Sequence, residues 1–167
     1  MKGSLAIAVV LASAVLLFSS AAQAALVDFY FTMAPNADQV VGVDVDSIGV
    51  GAGWLHLNTE TNTIDWSIVY SGLTGAPTMA HLHGPAEPGE NAGPQVPLDH
   101  TTNPMIGMAV ISDTQESQLL DNLWYINIHT ETYPGGEIRG QVVRVIPEPA
   151  TVALLACGGL LLLRRRR

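Results

Sequence analysis

Trp124-Tyr125-Ile126-Asn127-Ile128-His129-Thr130 is the stretch whose reading decides the fold. Large apolar side chains at 124, 126 and 128 alternate with Tyr125, Asn127 and His129, the period of two that a strand shows when one face is buried. The same period recurs along the chain. Val27, Phe29 and Phe31 alternate with Asp28, Tyr30 and Thr32; Leu55 and Leu57 with Trp54, His56 and Asn58; Ile64, Trp66 and Ile68 with Asp65 and Ser67; Ala80 and Leu82 with Met79, His81 and His83. Thr59-Glu60-Thr61-Asn62 supplies turn chemistry, so residues 53–70 read as a hairpin. Met105 to Ile111 is apolar on both faces and predicts a covered strand. Tyr133-Pro134-Gly135-Gly136 predicts a turn, and Glu137 to Val145 a last strand. Gly84 to Pro97, rich in Gly and Pro, predicts an irregular loop. Thr114 to Asn122 is the one helical segment, with Thr114 or Asp113 as its cap and Glu116 in the first turn. Many short strands with frequent turns predict an all-β fold, an antiparallel β-sandwich or Greek-key barrel with one short helix.

The two ends read differently from the middle. Lys2, the apolar run Leu5 to Phe18 and the small-residue site Ala22-Gln23-Ala24 have the form of a secretory signal peptide cut by signal peptidase after Ala24. At the other end, Pro147-Glu148-Pro149 breaks the chain, Ala150 to Leu163 is almost wholly apolar, and Arg164, Arg165, Arg166 and Arg167 close it. These ends predict N- and C-terminal hydrophobic helices flanking the β domain. The apolar part is short for a spanning helix, which needs ~20 residues, unless the arginines snorkel. The tail resembles the PEP-CTERM sorting signal of Gram-negative bacteria. That resemblance implies processing by an exosortase-type enzyme near the Pro-Glu-Pro motif and transient anchoring in the inner membrane. It further implies release to the cell envelope or the extracellular space, in a class many of whose members travel with exopolysaccharide or matrix. The organisation expected is thus 1–24 signal peptide, 25–146 β domain and 147–167 sorting segment and anchor.

Charge narrows the partners. Of seven basic residues only Arg139 and Arg144 fall within 25–146, against fourteen of the fifteen Asp and Glu, a formal charge near −12. Such a surface repels phosphate backbones and anionic lipid, which excludes nucleic acid as a partner. Cys157, the one cysteine, lies in the tail, so the β domain has no disulfide and relies on packing or a metal.

Two strings carry most of the information about kind. One is Ala80-His81-Leu82-His83-Gly84-Pro85. The other is Asn127-Ile128-His129-Thr130 followed by Pro134-Gly135-Gly136-Glu137-Ile138-Arg139-Gly140-Gln141. They resemble the CHRD (chordin-type) domain over about residues 27–145. This likeness implies an extracellular β domain with no activity established for the class.

His81 and His83 are two apart on a strand, so both rings project from one face, opposite Ala80 and Leu82. His129 and His56 occupy non-core faces by the same alternation. Neighbouring strands in one sheet would gather these imidazoles, and neutral imidazole binds copper and zinc. The His-x-His pair with a later-strand histidine is also similar to the copper site of Cu/Zn superoxide dismutases, with His100 in the place of a further ligand. The chain lacks that family's zinc-ligand cluster, disulfide cysteines and catalytic-loop pattern, and is not read as a dismutase. Two readings stand for the cluster. Either the rings hold a metal, or they hydrogen-bond loop carbonyls and carboxylates and fix the Gly/Pro loop. Arg139, two residues after Glu137 on the same strand face, reads as an ion pair or carbonyl clamp, or as the holder of an anionic ligand beside the histidines. Asp44 and Asp46 are too few oxygens for calcium. No serine elbow, nucleophilic triad or phosphate loop is present, Gly51 to Gly53 having no helix after it.

Overall fold

A computed structural model of the chain describes residues 26–35 and 44–146. The alternating runs form β1 (Leu26–Met33), β2 (Val50–Asn58), β3 (Thr63–Ser71), β4 (Pro77–His83), β5 (Pro94–Pro97), β6 (Met105–Val110), β7 (Tyr125–Thr130), β8 (Ile138–Gln141) and β9 (Val143–Arg144), with one helix, α1 (Asp113–Leu120). They build two antiparallel sheets, ordered β6-β3-β2-β1-β9 and β5-β4-β7-β8. Of the two architectures the alternation allows, the structure takes the sandwich. One corner is stitched, where Ala34 and Arg139 exchange backbone hydrogen bonds of 3.1 and 3.3 Å across the sheets. The expected flanking hydrophobic helices lie outside the described residues. So do Ala22 and Ala24 of the cleavage site, Pro147, Glu148 and Pro149, and Arg164 to Arg167.

The core is what the period of two demands. Val27, Phe29, Phe31 and Met33 of β1, Leu55 and Leu57 of β2, and Ile64, Trp66 and Ile68 of β3 are buried. Across from them lie Ala80 and Leu82 of β4 and Ile126 and Ile128 of β7. Trp124, fully buried just ahead of β7, contributes the largest of these side chains, and its indole N–H donates to Gln118 Oε1 at 3.2 Å. Burying an aromatic this size removes 150–250 Å² from water, so Trp124 anchors the β7 end of the core.

Four expectations need correcting. Met105 to Ile111 is not covered on both faces. Its β6 is an edge strand pairing only with β3, so Met105 is buried while Ile106, Met108 and Val110 stand 66 to 77% exposed. Gly84 to Pro97 is not irregular throughout, because Pro94–Pro97 pairs with β4 as an edge strand, the position where proline's missing N–H costs no ladder bond. The helix cap is neither Thr114 nor Asp113. Ser112 Oγ accepts from Gln115 N at 3.3 Å and the Gln115 side chain accepts from Ser112 N at 2.9 Å, a capping box. Finally, the run from Glu137 to Val145 is two strands in different sheets. The chain turns at buried Val142, whose N–H reaches Trp124 O at 2.9 Å, and β9 then joins β1.

Candidate metal centre

Alternation places the odd-numbered residues of β4, β7 and β8 on the face away from the core. Register sets them in rows: His83, Tyr125 and Gln141 in one, His81, Asn127 and Arg139 in the next, Met79 and His129 beyond. This outer face is not open. The Gly/Pro segment between β4 and β5 and the turn after β7 fold over it, so all six residues of β7 are buried and only 8% of His83 is exposed. Glycine is required where the turn comes down. Gly136 has φ +127°, and a Cβ there would collide with the Asn127 amide.

Three imidazoles meet beneath these segments. The ring centroids of His81, His83 and His129 stand 5.5 to 5.9 Å from one another, and one ligand atom from each lies within 4.8 Å of the others. His83 Nδ1 lies 2.9 Å from Ala92 O, and His129 Nδ1 lies 2.9 Å from Pro134 O. A carbonyl only accepts, so both Nδ1 atoms carry the proton and both Nε2 atoms keep a free lone pair. That is the arrangement in which a backbone carbonyl orients a metal-ligating histidine. His83 Nε2, His129 Nε2 and His81 Nδ1 are buried without a partner among the described residues. Metal–nitrogen bonds of about 2.0–2.1 Å set ligand nitrogens about 3.4 Å apart, so the three rings would have to close in by about an ångström to share an ion.

Electrostatics keep the rings neutral. Burial lowers the pKa of His81, with the charges of His129 and His100 adding to it. Burial also lowers His83, against the pull of its bond to Ala92 O and with help from His81, His129 and Arg139. His129 is lowered by burial and partly restored by its bond to Pro134 O. A neutral ring needs no proton displaced before it binds a metal.

The remaining predicted residues are distributed as follows. His56 does not join the cluster. It lies on β2 in the other sheet, paired with Asp28 at 2.6 Å in solvent and tilted against Trp54. His100, in the loop after β5, is near enough to influence His81 but stands outside the trio, so the four-histidine copper set does not form. Glu137 and Arg139 share no ion pair. The Glu137 carboxylate is fully buried and accepts from Ser47 Oγ, Thr74 N and Oγ1, and Thr130 Oγ1 at 2.6 to 2.8 Å. Burial alone would push that carboxyl up, but these donors outweigh it and hold its pKa low. Arg139, 1% exposed, stacks its guanidinium 3.5 Å over Tyr125, whose other neighbour is the His83 ring, parallel within 13°. Asp44 and Asp46 sit in an exposed non-strand segment with no third carboxylate grouped with them.

Sequence reasoning did not single out Tyr125, Asn127, Gln141 or Asn91. The first three share the odd-numbered face with the histidines and Arg139, so the signal was in the same alternation. Asn91, in an exposed loop, had none. Their importance shows in what is left unpaired. Of eight buried polar side-chain atoms without a partner among the described residues, seven lie on this face, Trp66 Nε1 being the exception. Each costs about 1–3 kcal/mol if nothing satisfies it, so this face calls for partners beyond the described protein atoms, water or a ligand.

The profile of the CHRD domain matches residues 31–142, and the chain belongs to that family. The matched span includes all three clustered histidines. No curated protein and no solved structure matches the chain.

Proposed function

We propose that this CHRD domain is an exported, non-enzymatic module of the cell envelope or extracellular matrix that holds one transition-metal ion, copper or zinc, on His81, His83 and His129. The observation carrying the metal reading is the convergence of three imidazole ligand atoms within 4.8 Å, with His83 and His129 held as Nδ1–H tautomers by backbone carbonyls. An all-imidazole donor set suits copper and zinc, whereas calcium and magnesium require oxygen ligands. The two readings of the histidines are compatible, because loop fixing uses Nδ1 and leaves Nε2 for the ion. The domain's acidity favours accumulation of cations around it.

Export is supported by the Lys2 to Ala24 leader, and sorting by Pro147-Glu148-Pro149 with Arg164 to Arg167. Signal peptidase and an exosortase-like enzyme are then the processing partners, the tail is a temporary membrane anchor, and matrix polysaccharide is the surrounding at the destination. Metal analysis of protein purified from the envelope, with mass spectrometry of both mature termini, tests the whole reading. The expected result is about one copper or zinc per chain, a start at Ala25 and a tail cut near Pro147. Absence of metal, with no binding when either ion is supplied to the apo protein, overturns the metal assignment; an intact leader overturns export.

A further inference from the structure

Arg139 poses a separate problem. It is a cation buried to 1% exposure in a domain of overwhelming negative charge, and among the described residues no carboxylate pairs with it. Its Nη1 reaches Asn91 Oδ1 at 3.3 Å, a long bond to an exposed loop, while Nε and Nη2 have no partner among the described residues. Those two atoms form one edge of the guanidinium, two parallel N–H donors whose spacing matches the two oxygens of a carboxylate. Stacking on Tyr125 occupies the plane of the group and leaves that edge buried and unpaired among the described residues.

The surroundings say what kind of anion fits. Arg139 lines a cleft of about 500 Å³ between β1 and the β8–β9 segment, together with Tyr30, Ala34, Gln141, Val143 and Arg144. Arg139 and Arg144 are the only basic side chains of residues 25–146 apart from histidine, and both are here. Gln141 spends its amide N–H on Ala86 O and Asn122 O at 3.0 and 2.7 Å, and its Oε1 is buried with no donor. The walls offer a tyrosine ring and a valine. Single negative charge, a hydroxyl to donate to Gln141 Oε1, and a carbon face to lie on Tyr30 describe a hydroxy-carboxylic acid. A phosphate dianion lacks the carbon face and meets stronger repulsion from the acidic domain.

We propose that the cleft between β1 and β8–β9 is a binding site for a hydroxy-carboxylate of the sugar-acid kind, its carboxylate held side-on by Arg139 and its hydroxyl by Gln141. None of the three clustered histidines lines it, so the proposal does not rest on the metal reading.

Glucuronate titrated into the full chain tests it, followed by the ¹⁵N–¹H resonance of the Arg139 Nε–H. Burial slows proton exchange there relative to exposed arginines, and through-bond correlation to the Arg139 backbone amide in the wild type assigns the peak. Glucuronate is expected to move this resonance and glucose to leave it in place. Arg139→Lys, keeping charge but losing the fork, should weaken binding at least tenfold, and Arg144→Ala about threefold. The wild-type resonance is decisive even if Arg139→Lys fails to fold. A resonance unmoved by glucuronate at concentrations that saturate a millimolar site, or moved equally by glucose, overturns the proposal. His81→Ala/His83→Ala should keep the response; its loss there would overturn the independence of the two sites.

Discussion

His56 and His83 both lie on non-core faces, one on each sheet of the sandwich, each on a strand whose neighbouring side chains point into the core. His56 remains in solvent, held by Asp28 at 2.6 Å. His83 is covered by a loop whose Ala92 carbonyl fixes its tautomer, with Tyr125 stacked along it. The five-stranded sheet thus has a wet outer face carrying Tyr30, Trp54 and Val69, and the four-stranded sheet a dry one carrying unpaired lone pairs and N–H groups. Facing away from the core does not make a histidine a ligand. What sets His83 apart is the second layer, which removes water and commits Nδ1 elsewhere, leaving Nε2 without a partner among the described residues, as the proposed metal reading requires.

Breaking the dry face should have the largest effect. His81→Ala/His83→Ala is expected to lower zinc or copper affinity by about a hundredfold or more, since loss of ligands exceeds the 10–100-fold cost of losing their orienting partners. His56→Ala should leave it unchanged. Equilibrium competition against a chelator reads both, and equal losses from the two variants would erase the distinction between the faces. Metal at 100 times its Kd should stabilise the wild type by about 2.7 kcal/mol, visible as a higher Tm that a chelator reverses. Glu137→Gln comes next. It removes the charge that four hydrogen bonds from Ser47, Thr74 and Thr130 surround, and should cost about 2 kcal/mol in denaturant unfolding with the metal affinity retained.

Proton titration sharpens the same contrast. His81, His83 and His129 have folded pKa values below their unfolded ones, so below about pH 6.5 the unfolded chain takes up protons that the fold refuses. Stability of the apo protein should therefore be constant above that pH and decline as the pH falls through the folded values. Glu137, also lowered, adds a further loss at more acidic pH. Unfolding midpoints measured from pH 8 to 4 should show a smaller decline near pH 6 in His83→Ala than in the wild type. Smallest is Ser112→Ala, expected to cost about 1 kcal/mol by removing the cap of α1, with no change at either face.

Much of the dry face was legible because alternation is a local property. His81, His83 and His129 could be assigned to a non-core face from spacing alone. Which sheet each strand entered was not legible, since His56 obeys the same period and only nonlocal pairing puts β2 with β1 and β3. The covering layer was equally hidden, for Gly84 to Asn91 and Tyr133 to Gly136 carry turn signals that say nothing of where a loop lands. For β6, the apolar run disclosed a strand but not its place at an edge. Ser112 was a missed local signal: Ser-x-x-Gln is a capping box on its face. The roles of Glu137 and Arg139 were hidden for a different reason. Their i, i+2 spacing suggested proximity, but the carboxylate found hydroxyl donors from three other segments and left the guanidinium to the ring of Tyr125.

The shift of the chain from one sheet to the other at Val142 has a mechanical consequence. It brings β9 alongside β1 in antiparallel register, with Val145 N–H bonded to Asp28 O at 2.8 Å, so that Leu26 and Ile146 leave the sandwich side by side. Tension applied across those two points pulls the paired strands apart one rung at a time, as a zipper opens, rather than loading the whole ladder in shear. β9 should peel at low force while the layers carrying the histidines stay packed.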